Sequence, residues 1–342
     1  GSAVVQANST EPPPSDVPVF VLIKNGFFNW STRPVAVVSP APPLGSGQMT
    51  NTAEDNVMSR CVLQNVNLSI YRGEMVAIVG AVGSGKTSLV MALLGQMSLH
   101  AGTHKLHTPK IAYAGQEHWI QNMTVQDNIL FDSAMNRRVY ETVMEAAQLT
   151  KDMSTLPNGD ATEIGERGIN LSGGQKARVN IARALYCPGA EMYVFDDPLA
   201  AVDVHVGKAL FNEAFLGLLG SSAVVLTFSS NYQFLKHFDK IVVVGNDGSV
   251  NVCSSHADMK TRFPMYAVAE LDDDTGSDVS VSPRGKSPRP TSPTANRLSD
   301  IRAEGNENTT TTSQPVNPST ATEGHEEPVK VNTGTLTKED QD

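Results

Sequence analysis

The sequence predicts an α/β fold built on a mostly parallel sheet, and three observations carry that expectation. The apolar run Met75–Val79 leads into a glycine-rich stretch, Gly80-Ala81-Val82-Gly83-Ser84-Gly85-Lys86-Thr87, and then into the helix-forming residues 88–94. A second apolar run, residues 191–195, ends in two carboxylates, Asp196-Asp197. Further apolar runs at 222–227 and Lys240–Val244 are separated by helical spacing, the pattern of parallel strands covered on both faces.

In chain order, Val17, Val19, Val21 and Ile23 alternate and lead to Phe27-Phe28-Asn29-Trp30, predicting a strand that pairs antiparallel with residues 62–70. The Pro/Gly/Ser-rich stretch 31–60 is too long and polar for a hairpin turn and is expected to be a disordered surface insertion. Weak alternation over 102–113 predicts a short β ribbon. Spacing through Val125, Ile129, Leu130, Val139 and Val143 predicts a helical subdomain over 123–150. His100, His104 and His107 have no acidic or cysteine companion and read as exposed ribbon histidines rather than metal ligands.

Glycines in the loop after Val79 let successive backbone N–H groups converge on an anion, and the following helix, opening through Thr87 and Ser88, adds positive potential at its N-terminus. At this spacing Lys86 reaches the β and γ phosphates of a nucleotide, and the Thr87 hydroxyl ligates magnesium. The strand ending at Phe195 would deliver the Asp196 carboxylate to the same metal, at the strand end where open α/β sheets bind ligands. Further along, Leu171-Ser172-Gly173-Gly174-Gln175 opens a helical segment. Ser172 and Gln175 have capping-box spacing, but two adjacent glycines weaken a helix start and leave amides open to an incoming anion, so an anion-facing tip is expected.

The chain of 342 residues carries a net charge of -10, which argues against a nucleic-acid partner because phosphate contacts need a basic patch. Cys61, Cys187 and Cys253 lack paired spacing and suit reduced thiols in cytosol. Asn29 and Asn170 sit in glycosylation sequons within stretches assigned to nucleotide contact, where a glycan would interfere. No run is long and apolar enough for a membrane helix, and no signal peptide opens the chain; Gly1-Ser2 suggests the edge of an excised fragment. Residues 1–16 and 271–342 are polar and read as flexible, the latter as a linker. That tail holds Ser282-Pro283, Ser287-Pro288 and Ser292-Pro293 beside basic residues, where phosphorylation would invert the local charge.

The run from Thr162 to Asn170 into LSGGQKARVNIARALY, together with VFDDPLAAVDVHVGK, resembles ATP-binding cassette transporters, and within them the first nucleotide-binding domain of the multidrug-resistance-associated subfamily C. The resemblance implies a P-loop NTPase domain of the cassette type over residues 17–270, with an antiparallel β subdomain, a helical subdomain and a linker to a following membrane domain. It implies ATP and Mg2+ as cofactors, with Trp30 stacking on adenine, although Phe28 is an alternative. Gln116 would sense the metal and couple to the membrane domain. Ser172 to Gln175 would contact ATP held by a second nucleotide-binding domain, and Asp203 would join the two sites. The other implied partners are cytoplasmic loops of membrane domains, at the cytoplasmic face of a membrane.

Two positions depart from the general pattern. The family usually has glutamate after the metal-binding aspartate as general base, and here stands Asp197, as is typical of first domains in the subfamily. A carboxylate shorter by about 1.5 Å falls outside direct reach of the attacking water. The switch histidine is replaced by Phe228, which can neither donate a hydrogen bond nor orient water. The expectation is an ATP-binding half-site with little or no hydrolysis in an exporter of drugs, organic anions or thiol conjugates. The alternative is a nucleotide-sensing domain of a channel or receptor in the same subfamily. A soluble cassette ATPase acting on ribosomes or DNA fits less well, since no basic surface is evident.

Overall fold

The computed structural model describes residues 17–30, 61–107, 110–165, 171–268, 298 and 301. The expected insertion at 31–60, the leading residues 1–16, the segment 166–170 and the three Ser-Pro pairs lie outside the described residues.

Two sheets form the frame. In the larger, the order is β5-β6-β7-β3-β8-β9, where β3 is Met75–Val79, β5 Ile111–Ala114, β6 Met192–Phe195, β7 Ala223–Phe228, β8 Lys240–Val244 and β9 Val250–Cys253. The first five strands in that order are parallel, and β9 closes one edge antiparallel to β8. Strands β3, β6, β7 and β8 are buried along their whole length, so they read as unbroken apolar runs rather than alternating ones. Alternation reappears in what each residue meets. Ala77, Val79, Tyr193, Phe195, Leu226 and Phe228 join one apolar cluster, while Val76, Ile78, Val194, Val225 and Val242 join another on the opposite face.

The second cluster is roofed by the smaller sheet, order β2-β1-β4, and by α1 (Lys86–Leu93). Here β1 (Val19–Asn29) pairs antiparallel with β2 (Leu63–Tyr71), as expected, and on its other side with β4 (Ser98–Leu106). Gly102 is required at that junction. Its φ is +91°, and a Cβ there would sit 2.1 Å from the Asn25 carbonyl oxygen. The expected ribbon over 102–113 does not form: its first half belongs to β4, whereas β5 crosses into the larger sheet and pairs parallel with β6, Ile111 opposite Met192.

Helices cover the first cluster. They are α2 (Val125–Leu130), α3 (Arg137–Ala146), α4 (Thr150–Met153), α5 (Gly173–Tyr186) and α6 (Val204–Leu210), the last continuing as a π-helical stretch through Leu218. Polar caps fix where α2 and α3 begin: Thr124 Oγ1 accepts from Asp127 N at 3.0 Å, and Asn136 Oδ1 from Val139 N at 3.2 Å. Two short helices, α7 (His256–Arg262) and α8 (Met265–Val268), end the continuous fold.

Candidate nucleotide-binding site

The loop from Gly80 to Thr87 leaves the C-terminal end of β3 and runs directly into α1. Gly83 and Gly85 have φ of +81° and +101°, which L side chains rarely tolerate. A Cβ on Gly80 would lie 2.4 Å from Ser84 Oγ and 2.6 Å from the Val244 carbonyl, so the turn is too tight for any side chain. Lys86 Nζ bends back over the loop and donates to the carbonyls of Gly80 and Ala81 at 2.9 and 3.0 Å. Burial lowers the Lys86 pKa, against an opposing pull from Asp197 and then Asp196. Ser84 Oγ is buried with no hydrogen-bond partner among the described residues. A tight glycine turn holding a lysine ammonium and an orphaned hydroxyl suits a phosphate chain, which offers acceptors to both.

The loop meets the two acids that follow β6. Asp196 is 2% exposed and accepts from Thr87 Oγ1 at 2.7 Å and from Thr227 Oγ1 at 2.6 Å. A hydroxyl and a carboxylate in contact are the hard oxygen donors that Mg2+ takes, and here they come from the two elements expected to supply them. Asp197 follows with φ 50°, which turns the chain sharply. Its amide donates to Thr227 Oγ1 at 2.7 Å, and its carboxylate accepts from the Ser229 amide at 3.3 Å and from the Ser229 hydroxyl. The Asp197 carboxylate is thereby committed to a neighbour within the chain. Phe228, between Thr227 and Ser229, is 1% exposed and meets Phe238 edge-on at 5.5 Å, so its ring serves the core.

Gln116 is exposed two residues beyond β5, whose last residue, Ala114, accepts from the Asp196 amide at 2.9 Å. Trp30 is 55% exposed at the end of β1. Phe28, two residues earlier, is buried and pairs with Leu63, whose side chain lies beside Gly85. Phe28 is therefore core, whereas Trp30 is exposed. Ala81 and Val82 are exposed at the loop crest, and Ser88 is buried in the first turn of α1. His104 serves packing: its ring meets Phe28 edge-on at 6.2 Å, with Nε2 3.3 Å from the Leu93 carbonyl.

Ser172 to Gln175 lie apart from this group, at the tip of α5. The capping box is complete: Ser172 Oγ accepts from Gln175 N at 3.1 Å, and Gln175 Oε1 accepts from Ser172 N at 2.9 Å. Gly173 still faces open space, since a Cβ there would meet nothing within 4 Å. Capping and an open tip at Gly173 thus coexist. Asp203 caps α6, with Oδ1 accepting from Val206 N at 3.0 Å.

Sequence reasoning missed several residues that set this geometry. Thr227 bridges both acids and Ser229 holds the second; the only signal was a hydroxyl on each side of Phe228. Asp152 was also missed. It accepts from Arg178 at 2.6 and 3.3 Å and from Gln175 Nε2 at 2.9 Å, tying the glycine tip to α4.

Residues 63–200 match the ABC transporter family. The chain is 47% identical over 207 residues to ATP-binding cassette sub-family C member 2 of Mus musculus, covering 60% of this chain and 13% of that protein. It is 46% identical over 201 residues to ABC transporter C family member 3 of Arabidopsis thaliana, covering 59% and 13%. Against ABC-type transporter cicA of Emericella nidulans the identity is 45% over 204 residues, covering 60% and 14%. The chain thus spans 13% to 14% of the length of these relatives. Since the matched region runs from β2 through the loop, α5 and both acids, the segment belongs to the ABC transporter family, as a nucleotide-binding domain of the subfamily C kind.

Proposed function

We propose that this domain is the first of two nucleotide-binding domains in an exporter of drugs, organic anions or thiol conjugates, and that its own site binds MgATP but turns it over slowly or not at all. Lys86 and the loop amides would hold the phosphates, Thr87 and Asp196 the metal with Gln116 beside them, and Trp30 the base. The bound metal would supply charge neutralisation at the phosphates. The chain's own part is to bind and orient, because the group positioned to take a proton from water is short and engaged.

The observation that carries this reading is the state of Asp197. Its carboxylate accepts from both the amide and the hydroxyl of Ser229, and Phe228 is packed against Phe238 beside it. Neither group is arranged as a general base or a γ-phosphate donor. Ser172 to Gln175, open at Gly173, would complete the competent site on a second domain. The groove lined by Glu117, His118, Trp119 and Ile120, just after Gln116, would receive cytoplasmic loops of the membrane domains. Among the described residues no helix is long and apolar enough to cross a membrane. The parent protein would place the domain at the cytoplasmic face.

Single-turnover assays test the reading: ATP should bind tightly with negligible phosphate release. Fast magnesium-dependent turnover that Asp197→Asn abolishes would refute it. The absence of a histidine at 228 also favours a second reading, a nucleotide-sensing domain of a channel or receptor. ATP-driven uptake by vesicles carrying the parent protein would exclude the sensor, and its absence would exclude the pump.

A further inference from the structure

Of the three residues expected at the metal, Thr87 and Asp196 already contact each other at 2.7 Å, while Gln116 is exposed. What fixes its place is the backbone on either side of it, and one helix holds both sides. Asn180, 7% exposed on α5, donates from Nδ2 to the Gly115 carbonyl at 3.2 Å, across 65 positions of sequence. Arg183, three residues on and so on the same face of the helix, donates to the Trp119 carbonyl at 2.7 Å and to the Asn128 carbonyl and Oδ1 at 2.6 and 2.8 Å. Gln116 lies between these two pins. Gly115 is also walled in by its neighbour in β5: a Cβ there would stand 3.0 Å from the Tyr113 hydroxyl and 3.3 Å from the ring carbon that bears it. Burial pushes that hydroxyl up to about 12, and the Asp196 charge adds to the shift, so the wall stands within the field of the metal-binding acid.

A buried asparagine needs a partner wherever it sits. Here the partner is the carbonyl of the peptide unit whose nitrogen belongs to Gln116. Because that unit is planar, a bond to its oxygen sets the plane from which the Gln116 side chain departs. Given the metal contact proposed for Gln116, we infer that Asn180 is its positioning residue: by holding the 115–116 peptide plane, it aims the glutamine at a metal carried by Thr87 and Asp196. An outer partner of this kind characteristically changes metal affinity without touching the metal.

Titration calorimetry on the 342-residue chain tests this through the ratio of ATP affinity in Mg2+ to that in EDTA. Asn180→Leu should lower that ratio by roughly 10-fold while leaving the affinity in EDTA within about twofold. Asn180→Ala, smaller and a better helix former, should do the same and keeps the test open should leucine crowd the site. In a Gln116→Ala background neither change should lower the ratio further, since no side chain is left to aim. Without nucleotide, amides over residues 115–121 should exchange faster in both Asn180 variants while β3 and β6 keep their rates. A ratio unchanged by Gln116→Ala would overturn the metal contact itself and this role with it. A ratio lowered by Gln116→Ala but by neither Asn180 variant would overturn the positioning role alone. So would an equal further loss in the Gln116→Ala background, or faster exchange in β3 and β6, either of which would make Asn180 a general support of the fold.

Discussion

Thr227→Val removes one hydroxyl and almost no volume, and that hydroxyl is the one atom through which β7 holds both acids. Thr227 is 0% exposed; its Oγ1 donates to Asp196 at 2.6 Å and accepts from the Asp197 amide at 2.7 Å. Losing a hydrogen bond to a buried carboxylate costs about 1.5–3 kcal/mol, and leaving a buried amide without its acceptor about 1–3 kcal/mol. Asp196 keeps the Thr87 hydroxyl, and the two losses together should come to roughly 2.5–6 kcal/mol. Urea unfolding should show a lower midpoint with an unchanged slope, the mark of lost stability without a change in the surface exposed. Thr227→Ser, which restores the hydroxyl, should recover most of the loss. A valine variant within about 1 kcal/mol of the unmodified chain, or a serine variant as unstable as the valine one, would refute the assignment of that energy to the bridge.

Lys86→Met should weaken MgATP binding by roughly 10- to 100-fold in titration calorimetry, because a charge-assisted contact to phosphate is lost. The fold should survive, and unchanged affinity would remove Lys86 from the cradle. Asp152→Ala leaves Arg178 unpaired where the two side chains are only 11% and 17% exposed, and should lower stability by about 2–4 kcal/mol in denaturant melts, somewhat below the cost for a fully buried pair. Burial lowers the His104 pKa, partly offset by the Leu93 carbonyl. The unfolded chain therefore binds this proton more tightly, and the stability His104 contributes is present above about pH 6.5 and lost as pH falls toward its folded value. His104→Gln should reduce the stability difference between pH 7.5 and 5.5, by at most about 1.4 kcal/mol per pH unit, in urea melts at the two pH values.

What the sequence made legible was local. Strand, glycine turn and helix around Lys86 follow one another without a gap, so spacing alone identified them, and the run ending at Asp196 needed only to be buried to point at the same place. Ile111–Ala114 was harder: four residues beside β4 continue its weak alternation, and nothing local reveals that their partner is Met192–Phe195, some eighty positions away. Thr227 and Ser229 escaped for a different reason. Their importance depends on which way each side chain leaves the strand end, which spacing does not encode. Leu298, buried in the larger apolar cluster, and Ile301, packed against it, are a single apolar pair in polar surroundings, too few to register as a period.

The clasp at Asp152 has a mechanical consequence. One carboxylate grips Arg178 and Gln175 at once, so the glycine tip of α5 and the helix beneath it cannot shift independently without breaking a nearly dry ion pair. A push felt at Ser172 is therefore passed to α4 as displacement rather than absorbed as local give.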